Sequence, residues 1–154
     1  MSIDMSQFLE TFYDESFEGL DIMESGLLNL DIGAADVEVV NNIFRAAHSI
    51  KGGSATFGLS DIADFTHLME TLLDEVRDGR RDVTENTVDV LLQSVDVLRE
   101  LLMAAKENKD IDQERVIELK VKLNEILCSG GGGVNRVGGS AGEGAAKPEY
   151  QLTE

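Results

Sequence analysis

At 154 residues and 42% hydrophobic, the chain is long enough for one domain with a buried core, and 5% aromatic content without Trp makes that core largely aliphatic. A formal net charge of −17 argues against a nucleic-acid or anionic-lipid binder, since both kinds of binding rely on Lys and Arg to neutralise phosphates.

The N-terminal residues Met1 to Gln7 contain neither a basic n-region nor an apolar h-region. No apolar run approaches the roughly 20 residues needed to span a bilayer, so the chain reads as soluble and cytoplasmic. Its single proline, Pro148, leaves residues 1–128 free of the strongest helix breaker. Through that stretch apolar residues recur at three and four, the helical period. The first helix is expected from Asp4 to Leu28 with Phe8, Phe12, Leu20, Met23 and Leu27 inward, and the chain turns around Asp31 to Gly33. The second runs from Ala35 to Phe57 with Val40, Ile43, Ala47, Ile50, Ser54 and Phe57 on one stripe. Gly58 suits the position after its end, and Ser60 suits the N-cap of the next helix.

The third helix reaches about Asp78 with Ile62, Phe65, Met69, Leu72, Leu73 and Val76 inward, and Gly79 ends it. Thr84 caps a fourth carrying Val88, Leu91, Leu92, Val95, Leu98 and Leu102. Asp110 or Asp112 opens a fifth carrying Val116, Leu119, Leu123, Ile126 and Leu127. No β-hairpin signal appears. Long helices with short connections predict an all-α fold, an up-down four-helix bundle plus a fifth C-terminal helix. The lone cysteine, Cys128, permits no internal disulfide, which fits a reducing compartment. From Ser129 the composition becomes Gly-rich and lacks the apolar residues that order a chain. The expected organisation is a domain over 1–128 and a flexible linker or tail over 129–154.

Chemistry concentrates on the second helix. At about 100° per residue, His48 lies roughly 120° from the centre of the apolar stripe, on the polar flank. Lys51, three residues on, is its surface neighbour. On the third helix His67 and Glu70 lie off the apolar stripe, with Asp74 a turn further. If the two flanks meet, Glu70 accepts a hydrogen bond from Nδ1–H of His48. That bond fixes the tautomer, leaves the lone pair on Nε2, and makes Nε2 more nucleophilic. Lys51 would then offset the charge of an incoming phosphoryl group. Gly52 and Gly53 each cost about 1 kcal/mol against Ala inside a helix, a cost that suggests close approach by a neighbouring helix or by a partner.

At these residues the chain resembles a histidine phosphotransfer (HPt) domain, and within that class the N-terminal domain of CheA-type chemotaxis histidine kinases. The runs Phe44-Arg-Ala-Ala-His-Ser-Ile-Lys-Gly-Gly-Ser-Ala-Thr-Phe-Gly58 and Thr66-His-Leu-Met-Glu-Thr-Leu-Leu-Asp-Glu75 carry the resemblance, which covers about residues 1–128. It implies that His48 is phosphorylated on Nε2, that Glu70 holds its Nδ1, and that Lys51 and His67 complete the polar network. Gly52 and Gly53 would keep the acceptor face open for partner docking. It also implies a kinase ATP-binding domain, in the same chain or in trans, as phosphoryl donor and an Asp of a chemotaxis-type response regulator as recipient. ATP and Mg²⁺ would belong to the kinase domain and a further Mg²⁺ to the regulator. Nothing in the chain resembles an ATP site, so it should be the kinase's substrate, a domain fragment or an isolated module, and a monomer in this form. The alternatives are a module of a non-chemotaxis phosphorelay, a purely structural bundle, or a metal-binding bundle. The last lacks paired Glu-x-x-His motifs, since Arg45 and Asp64 stand three before the two histidines.

Overall fold

The computed structural model describes residues 5–32 and 36–129. Five helices follow in chain order: α1 (Met5–Leu28), α2 (Val37–Thr56), α3 (Ser60–Arg77), α4 (Glu85–Glu107) and α5 (Gln113–Cys128). Among the described residues there is no strand. Helices α1 to α4 close a bundle in which α1 packs on α2 and α4, and α3 packs on α2 and α4, while α5 lies against α3 and α4. The Gly-rich segment expected over 129–154 lies, apart from Ser129, outside the described residues, as do Gly33, Ala34 and Ala35.

The helix boundaries follow local chemistry. Asp36, Thr84 and Asp112 accept backbone N–H bonds from Glu38, Thr87 and Arg115 and so cap α2, α4 and α5. Helix α2 ends in a Schellman turn. Gly58 adopts φ +74°, its N–H reaches Ala55 O at 3.2 Å, and the N–H of Leu59 reaches Ser54 O at 2.8 Å. Gly79, at φ +78°, ends α3 in the same way. Ser60 is not the N-cap of α3. The turn consumes Phe57 to Leu59, so Leu59 takes the capping place without a side-chain bond and Ser60 is the first helical residue.

The core joins Leu20, Met23 and Leu27 of α1, Ile43, Ala47 and Ile50 of α2, Phe65, Met69 and Leu72 of α3, Val95, Leu98 and Leu102 of α4, and Leu119 and Leu123 of α5. Phe8 departs from expectation and is 54% exposed. The inward stripe of α1 runs through Leu9, Tyr13, Ser16, Leu20, Met23 and Leu27, and Phe8 is about 100° off that line at its first step. Phe57, Val76, Val88, Leu92 and Leu127 stand half-buried at the rim of the core.

One buried cation fastens α5. Arg81, just beyond α3, is 8% exposed at its side chain and pairs with Glu75 at 2.8 Å. It also donates to the carbonyls of Ser129 at 3.0 Å and Leu127 at 3.3 Å, at the end where a helix presents unpaired acceptors and partial negative charge.

Candidate functional site

The α2–α3 hairpin sets the register of the site. Its pivot, Leu59, is 11 residues from both His48 and Glu70 in sequence, so the tight Schellman turn brings these two positions opposite each other on antiparallel helices. The same symmetry about Leu59 relates Lys51 to His67.

Glu70 is the centre. Its side chain is 9% exposed, whereas that of His48 is 63% exposed. Oε2 of Glu70 meets Nδ1 of His48, and Oε1 accepts from Nζ of Lys51. Burial alone would raise the Glu70 carboxyl. The hydrogen bonds from Lys51 and His48, together with their charges, outweigh it and hold the group below its ordinary value. An ionised carboxylate can only accept, so Nδ1 of His48 carries the proton and the lone pair resides on Nε2.

Lys51 is 28% exposed at its side chain, and Glu70 anchors its ammonium near the base of the histidine. His67 is 59% exposed, with Nδ1 3.7 Å from Glu70 Oε1, beyond hydrogen-bonding distance. The structure thus joins His48, Lys51 and Glu70 directly and places His67 at the margin.

The two glycines part company. A Cβ on Gly53 would lie 2.5 Å from both Cδ1 and Cε1 of Phe12, whereas one on Gly52 would meet nothing within 4 Å. Gly53 therefore admits α1 against α2, and Gly52 is open surface. Of the two sources of close approach left open by the sequence, a neighbouring helix accounts for Gly53.

Two neighbours of the site escape the sequence reading. The Phe44 ring, one turn before His48, lies parallel to the imidazole with centroids 6.0 Å apart and planes 12° from parallel. Arg77 of α3 places its guanidinium carbon 3.9 Å from the Phe44 centroid and pairs with Asp74 at 2.6 Å. The i, i+4 spacing of Phe44 and His48 was the available signal for the first contact. The second depends on how α3 packs. Among the described residues, no cluster of three or more His, Cys, Asp or Glu side chains is placed to hold a metal ion, and no helix is long and apolar enough to cross a membrane.

Comparison with known proteins identifies the family. The Hpt domain family matches residues 7–108. The chemotaxis protein CheA of Rhizobium meliloti is 44% identical over 128 residues, 83% of this chain and 17% of that protein. CheA of Salmonella typhimurium is 46% identical over 112 residues, 73% of this chain and 17% of that protein. The chain thus spans about a sixth of the length of these relatives. Among solved structures, the phosphorylated P1 domain of CheA3 in complex with CheY6 from R. sphaeroides superposes with a TM-score of 0.71 at 31% identity, covering 79% of this chain and 96% of that one. The CheA phosphotransferase domain from Thermotoga maritima gives a TM-score of 0.61 at 30% identity, covering 67% and 98%. The chain belongs to the Hpt domain family and is of the CheA P1 phosphotransfer kind.

Proposed function

We propose that this Hpt domain carries its phosphoryl group on Nε2 of His48, receiving it from the ATP-bound kinase domain of a CheA-type protein and passing it to an Asp of a chemotaxis-type response regulator. The observation that carries the reading is a well-exposed imidazole whose other nitrogen is held by a buried, ionised carboxylate.

The chemistry follows from that pairing. The Nε2 lone pair attacks the γ-phosphorus of ATP, a P–N bond forms, the bond to the bridging oxygen breaks, and ADP leaves. The imidazole gains positive charge but keeps its Nδ1 proton, and Glu70 balances that charge across the hydrogen bond. In the second step a carboxylate oxygen of the regulator attacks the phosphorus, the P–N bond breaks, and neutral imidazole returns. Lys51 contributes a fixed positive charge beside both transfers, and His67 borders the same face. Gly52 leaves the approach to that face clear. Mg²⁺ would be supplied with ATP by the kinase domain and by the regulator. Similarity to a P1 domain solved with CheY6 supports the choice of recipient, and a donor that binds ATP is consistent with a cytoplasmic setting.

The test is uptake of label from γ-labelled ATP in the presence of a CheA-type kinase domain and Mg²⁺. Wild type should acquire acid-labile, base-stable phosphate that a response regulator drains, and His48→Gln should acquire none while keeping its helical spectrum. Label on His48→Gln would overturn the assignment.

A further inference from the structure

The hydrogen bond from Nδ1 to Glu70 fixes one atom of the imidazole. It does not by itself fix the ring plane, because the imidazole moves through two side-chain torsions, χ1 and χ2, and one contact at Nδ1 constrains only one combination of them. The Nε2 lone pair lies in that plane, and in-line attack on phosphorus depends on where it points. A ring that is 63% exposed has little surrounding packing to hold it. One flat neighbour is present, the Phe44 ring, parallel to within 12° and at a separation within the range of offset aromatic pairs.

Phe44 is itself held. Arg77 sits 3.9 Å from its centroid in a cation–π contact, and the 2.6 Å pair with Asp74 one turn earlier fixes the guanidinium. A relay of contacts, Asp74 to Arg77 to Phe44 to His48, therefore runs from α3 back to the acceptor ring. It is separate from the Glu70 bond and meets the ring on its face instead of its edge. We infer that Phe44 is a positioning residue for phosphoryl transfer, setting the plane of the His48 imidazole, and that Arg77 acts on the reaction through Phe44.

This inference rests on His48 being the phosphoacceptor. The experiment compares the full chain with its Phe44→Leu, Phe44→Tyr and Arg77→Gln variants in single-turnover phosphorylation by a CheA-type kinase domain with ATP. NMR of the His48 ring protons is recorded on the unphosphorylated proteins. Losing an aromatic pair is worth about threefold to tenfold in rate. Phe44→Leu should lower the saturating rate by that factor, leave half-saturation in kinase domain unchanged, and move and broaden the His48 ring signals. Phe44→Tyr should restore both readouts. Arg77→Gln, at a partly exposed position that leaves the aromatic ring in place, should give a smaller effect of the same kind even if Phe44→Leu proves unstable. An unaltered rate and unaltered ring signals in Phe44→Leu, or failure of Tyr to rescue, would overturn the positioning role. Absence of acid-labile label on wild type would instead overturn the phosphoacceptor reading, while the ring signals would still report whether Phe44 orders the imidazole.

Discussion

Replacing Gly52 and Gly53 by Ala, one at a time, asks whether the glycine pair serves one purpose or two. Both lie in the last turns of α2, so the gain in helix propensity, about 1 kcal/mol, is common to both and cancels in the comparison. What differs is the space. The new methyl at 52 meets nothing, whereas at 53 it falls 2.5 Å from two carbons of the Phe12 ring. Phe12 is only 8% exposed and is flanked by Tyr13 and Phe57 at centroid distances of 5.5 Å, so the ring has little room to retreat. Overpacking of that kind costs about 3 kcal/mol, the upper end of the usual range. Gly52→Ala should therefore stabilise the domain by about 1 kcal/mol and Gly53→Ala destabilise it by about 2 kcal/mol. At about 4 °C per kcal/mol for a domain of this size, the melting temperatures should differ by about 12 °C. Thermal unfolding followed by circular dichroism at 222 nm, repeated in urea, measures the gap. Equal stabilities for the two variants would refute the assignment of Gly53 to helix packing.

Glu70→Ala should leave His48 phosphorylatable but slow the transfer by about 100-fold, the lower end of what loss of a charge-stabilising partner costs; an unchanged single-turnover rate would remove Glu70 from the mechanism. The Glu70 carboxyl is held below its ordinary value, so its contribution to stability is fully present above the unfolded-state carboxylate pKa of about 4.3 and disappears as pH falls through the lower folded value. Urea midpoints of wild type and Glu70→Gln should consequently converge below about pH 4, and a constant difference from pH 6 to pH 3 would contradict the linkage. Arg81→Ala should loosen α5 by about 3 kcal/mol, the lower end of the cost of removing one partner of a buried ion pair, because Glu75 is 19% exposed at its side chain. Amide exchange should then accelerate across Gln113–Cys128 more than across α2. If the Gly52 surface is where a partner docks, Gly52→Ala should raise half-saturation in the kinase domain or the regulator while leaving the His48–Glu70 bond intact by NMR.

Much of this architecture is legible in the residues. The α2 stripe of Val40, Ile43, Ala47, Ile50 and Ser54 is buried as its spacing implies, and the capping roles of Asp112 and Thr84 follow from side-chain chemistry. His48 falls on an exposed flank because angular position on one helix is a local property. Glu70 lies off the apolar stripe of α3, yet it is buried, because α2 covers it. That burial belongs to the packing of two helices and has no signature in either alone. For the same reason Gly53 could not reveal that Phe12, 41 residues earlier, was its neighbour. Arg77 and Arg81 read as ordinary basic residues at a helix end. Their contacts with Phe44, Leu127 and Ser129 depend on chain segments distant in sequence. Phe8 is exposed for a simpler reason: near the start of a helix a stripe shifted by one residue fits the apolar pattern almost equally well.

The Arg81 clamp has a mechanical consequence. Its guanidinium grips the carbonyls of Leu127 and Ser129 and is braced by Glu75 on α3. A pull on the chain at Ser129 is therefore delivered to α3 and does not simply peel α5 from its last turn. Because α3 also bears Glu70, a force arriving at Ser129 and the alignment of the acceptor ring meet on one helix.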